Sequence, residues 1–431
     1  MKKLFFILIS VGLAAAIFFT LSRRPKQPKV FIKQYKNGDY ALVVQGEPYV
    51  VKGVCYNPVP IGKSHDHDWW SDPHKPWLLD GKLMKDMGVN TVRVYSAGED
   101  PEAVKRVIND LYELFGIRTI IGHWLGFWEY PCPLYGDKDF QERVKKEVLE
   151  MVWTYKDEAG ILFWTLGNEN NYSCLGRVNP WSTEKIDKEP DPQKRIKMRE
   201  KLYYSFINDL AEEIHQIDPD HPVAMGNGEL IGLVTAAEVC PDIDLVACLI
   251  YRGKTFGNLF KSLKATYDRP IVLTEFGADC YDAQLKEENQ EMQAFFLESQ
   301  WRQIYDNLAG NEEGAGNCLG GAMFEWTDEW WKHAEWDAQG WSVHDTVSNW
   351  SNGSYYFDIL ADKNMNMNEE WFGIVALSDK EKEAGLDKRL PRAAYQVIKE
   401  FWQNPRDKSQ IKPPKKRKAA SEKRIRGQKM Q

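Results

Sequence analysis

The sequence has no Cys-x-x-Cys pair, although it contains seven cysteines, which lie at positions 55, 132, 174, 240, 248, 280 and 318. Cysteines scattered in this way do not make a zinc framework. The sequence also lacks a glycine-rich dinucleotide-binding loop and a P-loop, and no internal repeats are evident. We therefore expect no metal site and no cofactor.

In two short segments the spacing of potential ligands resembles that of a metal site, but the further ligands that such a site needs are missing. In SHDHDWW (64–70), His65 and His67 lie two residues apart with no other ligand at a suitable spacing, and Trp69 and Trp70 favour a sugar-contacting rim instead. The segment DKNMNMNEE (362–370) alternates like a calcium loop. It lacks the central glycine and the matching acids of an EF-hand, so we do not expect calcium there.

Basic residues are concentrated at the two ends of the chain. Residues 1–29 carry six Lys or Arg and no acid, and residues 411–431 carry nine Lys or Arg and one acid. Since the overall net charge is −7, the remainder carries −21, which argues against nucleic acid as the main partner. Residues 406–431 are predicted to be a basic disordered tail, either merely solvated or in contact with anionic lipid or an acidic polymer.

The N-terminal segment 1–29 has the layout of a signal sequence. MKK precedes LFFILISVGLAAAIFFTL, an uncharged run just long enough to cross a bilayer, and no small-residue cleavage site follows it. We favour an uncleaved signal anchor over a cleaved signal peptide. The protein is therefore expected to be membrane-anchored through this helix, facing the periplasm or cell exterior, or to be secreted.

The body of the chain alternates short apolar runs with amphipathic stretches. Eight strand-like runs occur, at 51–57, 90–95, 117–123, 161–166, 222–226, 244–251, 270–277 and 318–326. Eight β/α units predict a (β/α)8 TIM barrel over residues 30–405, with a short N-terminal β-hairpin prelude at its start. A doubly wound open sheet is the alternative.

Polar or large aromatic residues end nearly every predicted strand, and in a barrel these ends converge on one mouth. In chain order they are Asn57, Arg93, His123, Asn168 with Glu169, Asn227, Tyr251, Glu275 and Trp326. Glu169 and Glu275 end the fourth and seventh strands, so their carboxyls are expected to face each other. Two facing carboxylates are what glycoside hydrolysis requires. The 17 tryptophans suit a sugar-binding cleft, although a Trp-rich core is the alternative.

Several motifs resemble clan A of the glycoside hydrolases, and most closely the TIM-barrel catalytic domain of family 2. They are EPYVVKGVCYNP, LMKDMGVNTVRVY, WTLGNEN, VLTEFG, GGAMFEWTDEWW, NEEWFGIV and PRAAYQVI, spanning roughly residues 47–402. The resemblance implies that Glu169 is the acid/base and Glu275 the nucleophile. It further implies that Asn168 binds the sugar 2-hydroxyl, that Arg93 and Tyr251 support Glu275, and that His123 and Trp326 line the sugar subsite.

The chain departs from full family 2 enzymes, because only some 20 residues separate the N-terminal segment from the first barrel strand. Their jelly-roll and immunoglobulin-like domains therefore have no counterpart there. The single-barrel layout is also similar to fungal β-1,3-glucanosyltransferases and family 5 endoglycanases, which makes an open cleft on a polymer plausible.

We thus predict a retaining O-glycosidase that acts on β-linked glycosides or polysaccharides, with an oligosaccharide or polysaccharide as its partner. Two alternatives stay open: a cell-surface transglycosylase, and a non-catalytic sugar-binding component of envelope polysaccharide assembly. The sequence does not predict the sugar, the linkage or the oligomeric state.

Overall fold

The computed structural model describes residues 29–129, 132–176, 178–282, 285–332, 337–346 and 368–405. The predicted anchor, apart from its last residue Lys29, and the predicted basic tail lie outside these residues, as does most of the segment 362–370. Within the described ranges, no helix combines the length and the apolar character needed to cross a membrane.

Eight parallel strands form a closed barrel, which confirms the fold predicted from the sequence. They are β4 (Val51–Cys55), β5 (Thr91–Val94), β6 (Arg118–His123), β7 (Ile161–Leu166), β8 (Val223–Gly228), β9 (Leu245–Leu249), β10 (Ile271–Phe276) and β13 (Cys318–Met323). The strands follow one another in chain order, and β13 closes the ring between β10 and β4. Every residue of β7 is buried, as expected for a parallel strand covered on both faces.

Helices alternate with the barrel strands and surround them. They are α1 (Pro76–Met87), α2 (Pro101–Phe115), α3 (Lys138–Tyr155), α4 (Glu184–Asp187), α5 (Pro192–Ile217), α6 (Leu233–Val239), α7 (Leu259–Thr266), α8 (Gln290–Asp306) and α9 (Ala393–Gln403). Helix α2 has the boundaries that its sequence predicts. The Asp100 side chain accepts a hydrogen bond from the Glu102 amide, and Gly116 ends the helix in the left-handed conformation.

A small antiparallel sheet covers the N-terminal end of the barrel. It consists of β1 (Val30–Gln34), β2 (Tyr40–Val44) and β3 (Glu47–Tyr49). The predicted prelude is therefore present, with three strands. Leu42 is fully buried in a cluster with side chains from several barrel strands. The Tyr40 and Tyr49 hydroxyls donate to backbone carbonyls in the connections that enter β10 and β5. The prelude therefore closes one end of the barrel with apolar packing.

The C-terminal part adds two hairpins and the last helix. One hairpin pairs β11 (Tyr281–Asp282) with β12 (Glu287–Glu288), and the other pairs β14 (Val375–Glu383) with β15 (Leu386–Pro391). Helix α9 packs against α8 and α1 and so completes the outer ring. Arg392, just before α9, pairs with buried Asp328 after β13 through two hydrogen bonds of 2.6 and 2.8 Å. Asp328, adjacent to the predicted mouth, thus holds the closing segment in place.

Candidate active site

Glu275 lies near the C-terminal end of β10 and is only 6% exposed. Its Oε1 accepts hydrogen bonds from Arg93 Nη1 at 2.6 Å and from the Tyr95 hydroxyl at 2.8 Å. Its Oε2 accepts from the Tyr251 hydroxyl at 2.9 Å. Three donors from two other strand ends stabilise negative charge on this carboxylate and fix its orientation.

Arg93 connects the two strand ends that carry the predicted catalytic glutamates. Its guanidinium is buried and packs 3.8 Å from the ring centroid of Tyr95. While Nη1 binds Glu275, Nη2 donates to Asn168 Oδ1. The sequence prediction named Arg93 but missed Tyr95. The alternation of side chains along a strand puts the two residues on the same face, so this signal was present in the sequence.

Glu169 follows β7 in an unusual backbone conformation. Gly167 has φ +80° and Glu169 has φ 60°, in the left-handed region that non-glycine residues rarely adopt. A Cβ on Gly226 of the neighbouring strand would lie 2.0 Å from the Gly167 carbonyl oxygen, so this close approach requires glycine there. The turn redirects the chain at the barrel mouth and places the Glu169 side chain half-buried beside the site.

The amides that follow Glu169 support this turn. Asn170 Oδ1 accepts from the Asn168 amide at 2.6 Å, and its Nδ2 donates to Trp124 O and to the Tyr135 hydroxyl. Asn171 exchanges two hydrogen bonds of 2.9 Å with the backbone of Gly228. Both side chains are buried, so Asn170 and Asn171 are scaffold for the turn. Sequence reasoning had assigned no role to these residues.

Glu169 has a strongly altered acidity. Burial of the carboxyl, followed by the negative charges of Glu275 and Glu369, raises its pKa to about 8, while Arg93 and Lys332 oppose the shift. A carboxyl with such a pKa stays protonated near neutral pH, as a general acid must. Glu275, by contrast, is surrounded by donors. The two neighbouring carboxyls therefore have different surroundings: the Glu169 carboxyl is buried near other negative charges, whereas Glu275 accepts three hydrogen bonds.

A further group of charged residues borders the two glutamates. Lys332 Nζ lies 3.3 Å from Glu329 Oε2 and 2.9 Å from Glu369 Oε2. Burial raises the pKa of Glu329 to about 7, with Lys332 opposing the shift and Glu369 adding to it. Glu325 is buried deeper, and burial together with Glu329 raises its pKa well above the usual range.

His123 stands at the C-terminal end of β6, partly exposed beside the mouth. Burial lowers the pKa of His123 below its ordinary value, although Glu147 and Glu129 act in the opposite direction. Its Nδ1 accepts a hydrogen bond from the Leu125 amide at 3.1 Å, which assigns the proton of the neutral ring to Nε2.

The remaining predicted site residues take different positions. Asn227 is fully buried, and its side chain bonds to the Tyr204 hydroxyl and to backbone carbonyls of the β8–α6 connection. Trp326 is also fully buried, with its backbone amide bonded to Cys55 O and its ring near Tyr395. Asn57 is partly exposed just beyond β4. The structure thus brings Arg93, Asn168, Tyr251 and Glu275 into direct contact, whereas Asn227 is bonded within the scaffold.

The sequence of the chain resembles that of a known protein over part of its length. No family model matches the chain. A Formosa agariphila protein provisionally named a beta-glucuronidase is 27% identical over 131 residues, which are 30% of this chain and 11% of that protein. The chain therefore spans about a tenth of this relative.

Solved structures resemble the chain over most of its length. A Bacteroides uniformis beta-glucuronidase superposes with a TM-score of 0.55 and 15% identity, over 86% of this chain and 37% of the other. A family 2 beta-galacturonidase from Eisenbergiella tayi, bound to galacturonate, gives a TM-score of 0.51 and 17% identity, over 87% of this chain and 54% of the other. These superpositions confirm, at the level of the fold, the predicted resemblance to family 2 catalytic barrels.

Proposed function

We propose that this barrel is a retaining glycosidase that hydrolyses β-linked glycosides or polysaccharides through a glycosyl-enzyme intermediate on Glu275. The observation that carries the proposal is the contrast between the two glutamates. Glu275 receives three hydrogen bonds from Arg93, Tyr95 and Tyr251, while Glu169 beside it has a pKa of about 8. The names of the three similar proteins given above are those of glycosidases of β-linked sugars, which supports the same substrate class.

The proposed reaction has two steps. In the first, a Glu275 oxygen bonds to the anomeric carbon while the bond to the leaving oxygen breaks, and Glu169 gives its proton to that oxygen. In the second, Glu169 takes a proton from water, whose oxygen displaces Glu275 from the anomeric carbon. Because Asn168 Oδ1 accepts from Arg93, the amide nitrogen of Asn168 is the group that can donate to the sugar 2-hydroxyl.

The decisive test is covalent trapping combined with the stereochemistry of the product. We expect a fluorinated glycoside or a cyclitol epoxide to label Glu275, as read by mass spectrometry of a digest. In a screen of chromogenic β-glycosides and β-glucans, NMR should show the β-anomer as the first product. Release of the α-anomer first would refute retention. Failure of every probe to label would favour the non-catalytic sugar-binding alternative.

A transglycosylase is the second candidate, because a retaining intermediate can pass to a sugar hydroxyl instead of water. Half-exposed Trp124 stacks on Tyr95, exposed Trp128 lies beyond Trp124, and both offer surfaces on which an acceptor could stack. Incubation with an oligosaccharide at high concentration distinguishes the two candidates. Products longer than the input support transfer, and their absence supports hydrolysis.

We also propose that residues 1–29 direct the protein to the membrane or beyond it. The support is the uncharged run that follows MKK. Fractionation of cells that produce the full chain should place it with the membranes or in the exported fraction. A variant lacking residues 1–29 should remain in the cytoplasm, and equal distribution of the two proteins would refute the proposal.

A further inference from the structure

An aromatic strip leads from the nucleophile to the surface. It consists of Tyr95, Trp124 and Trp128. The Tyr95 hydroxyl donates to Glu275, and its ring lies nearly parallel to that of Trp124, with the centroids 5.4 Å apart. The Trp124 ring is followed at 6.3 Å by that of Trp128, turned by 71°. The strip therefore begins at the reacting carboxylate and ends in solvent.

The outer end of the strip is exposed, in contrast to the residues just before it in the chain. Trp128 is 65% exposed, although its neighbours Leu125 and Phe127 are buried. Leaving an indole in water forgoes the free energy gained by burying a large apolar side chain. Because the indole of Trp128 continues a row of rings that begins at Glu275, it offers a flat apolar surface to a ligand bound there.

The loop that carries Trp128 is fixed to the scaffold. Its Leu125 carbonyl accepts from the buried Tyr135 hydroxyl at 3.0 Å, and its Phe127 carbonyl accepts from Asn179 Nδ2 at 2.6 Å. Gly126 has φ +68°, and a Cβ there would lie 2.7 Å from the Phe140 ring of α3. Trp128 is thus presented by a rigid turn, which limits the ordering entropy lost on binding.

Polar side chains border the strip on the side of α3. Arg143 pairs with Glu129 at 2.5 Å and with Glu147 at 2.8 Å, and all three side chains are roughly 40% exposed. His123, between the strip and Glu147, adds a ring nitrogen 3.9 Å from the Glu147 carboxylate. An apolar ring flanked by hydrogen-bonding groups matches the chemistry of a pyranose, which has apolar faces and a hydroxyl-bearing edge.

We infer that Trp124 and Trp128 form a second sugar subsite beyond the one at Glu275, so that the substrate is an oligosaccharide or polysaccharide that extends along the strip. This rests on the proposed function, since the strip is defined relative to the catalytic glutamates. A single sugar bound at Glu275 does not reach Trp128 at the outer end, whereas the next sugar units of a chain stack on the indoles. Trp128 is therefore a specificity-determining residue for chain length.

The test compares Trp128→Ala with Trp153→Ala, a control on the outer part of α3 whose indole is 66% exposed. Each protein is assayed on 4-nitrophenyl β-glycosides of glucose, galactose, mannose and glucuronic acid, and on cellotriose, laminaritriose and mannotriose. For the trisaccharide that the parent cleaves, Trp128→Ala should lose about tenfold in kcat/KM, as expected for one lost stacking contact. Its kcat/KM on the aryl monosaccharides should stay within about twofold of the parent, and Trp128→Phe should recover most of the loss.

Several outcomes would overturn the inference. Trp128→Ala could match Trp153→Ala on every substrate, or lose equally on trisaccharides and aryl glycosides, or the parent could cleave aryl glycosides and none of the trisaccharides. In each case the proposed function survives. If the parent cleaves neither class and Glu275 is not labelled by the trapping reagents, the proposed function fails and the inference falls with it. Thermal denaturation of both alanine variants checks that the fold is retained.

Discussion

The two ends of the barrel are built from opposite kinds of side chain. At the N-terminal end, the prelude sheet buries Leu42 and its neighbours against barrel strands in a wholly apolar cluster. At the C-terminal end, Glu169, Glu275, Glu325, Glu329 and Glu369 gather around Arg93 and Lys332. One end therefore contributes stability, and the other holds charges close together at a cost in stability, as TIM barrels commonly divide these tasks.

The strongest test of this division is the proposed nucleophile, Glu275. We expect Glu275→Ala to lower kcat by about 10⁴-fold or more, because the variant lacks the carboxylate that is proposed to form the glycosyl intermediate. Azide should restore turnover with a product of inverted configuration. Glu47→Gln, which changes an exposed carboxyl on the prelude, is the matched control and should leave kcat unchanged. A folded Glu275→Ala variant with a tenth of the parent activity would remove Glu275 from this role.

The acid/base residue should give a loss that depends on the leaving group. Glu169→Gln should slow glycosides with poor leaving groups by roughly 10²–10⁴-fold and largely spare dinitrophenyl glycosides. Since burial raises the pKa of Glu169 to about 8, the parent should lose kcat/KM as the pH rises through about 8, where this acid ionises. The variant should lack that decline. If the leaving-group effect belongs to Glu275 instead, the two roles are exchanged.

The opposite end of the barrel should respond in stability and not in catalysis. Leu42→Ala, at a fully buried prelude position, should lower the free energy of unfolding by about 2–5 kcal/mol, as measured by urea denaturation. The kcat of the protein that remains folded should be unchanged. Lys33→Ala, an exposed position in the same sheet, serves as the control. A large drop in kcat for Leu42→Ala would show that the two ends are coupled.

The smallest effect concerns the charge of the sugar. In the described part of the mouth, Arg93 is paired with Glu275, and Lys332 with Glu329 and Glu369. Because these two cations already pair with carboxylates of the protein, they are less available to a carboxylate of the substrate. We therefore expect 4-nitrophenyl β-glucoside to exceed the β-glucuronide in kcat/KM by about tenfold, equivalent to about 1.4 kcal/mol. Glu369→Gln should narrow this ratio, whereas Glu142→Gln on the outside of α3 should not. A preference for the glucuronide would contradict the expectation.

The two ends of the barrel also differ in how well the sequence predicts their structure. The barrel and its prelude follow from local patterns: apolar runs of strand length, the Asp100 cap, and the two glycine turns at Gly38 and Gly46, which both adopt positive φ. Each of these signals acts within one β/α unit or one hairpin, so the sequence displays it directly. The position of Glu169 and Glu275 at strand ends followed from the same strand boundaries.

The hydrogen-bond partners of the asparagines around the site were less predictable. The sequence alone does not show whether an asparagine side chain faces the site or the scaffold. Asn168 is bonded to Arg93, whereas the side chains of Asn170, Asn171 and Asn227 are bonded to scaffold groups. Asn168, Asn170 and Asn171 all follow β7, where only the backbone turn at Glu169 separates the first from the other two, and Asn227 lies at the end of β8. Tyr95 could have been found by its alternation with Arg93.

By itself, the sequence determined the barrel, its N-terminal β prelude and the two strand ends that carry the glutamates, since periodicity and turn residues act over a few positions. Only the tertiary structure decided how those glutamates differ. Arg93, Tyr95 and Tyr251 reach Glu275 from two other strands, and Glu369, about 200 residues from Glu169, joins burial and Glu275 in raising the pKa of that acid. Electrostatic interactions depend on distance in space and on burial, which the order of residues along a chain does not display.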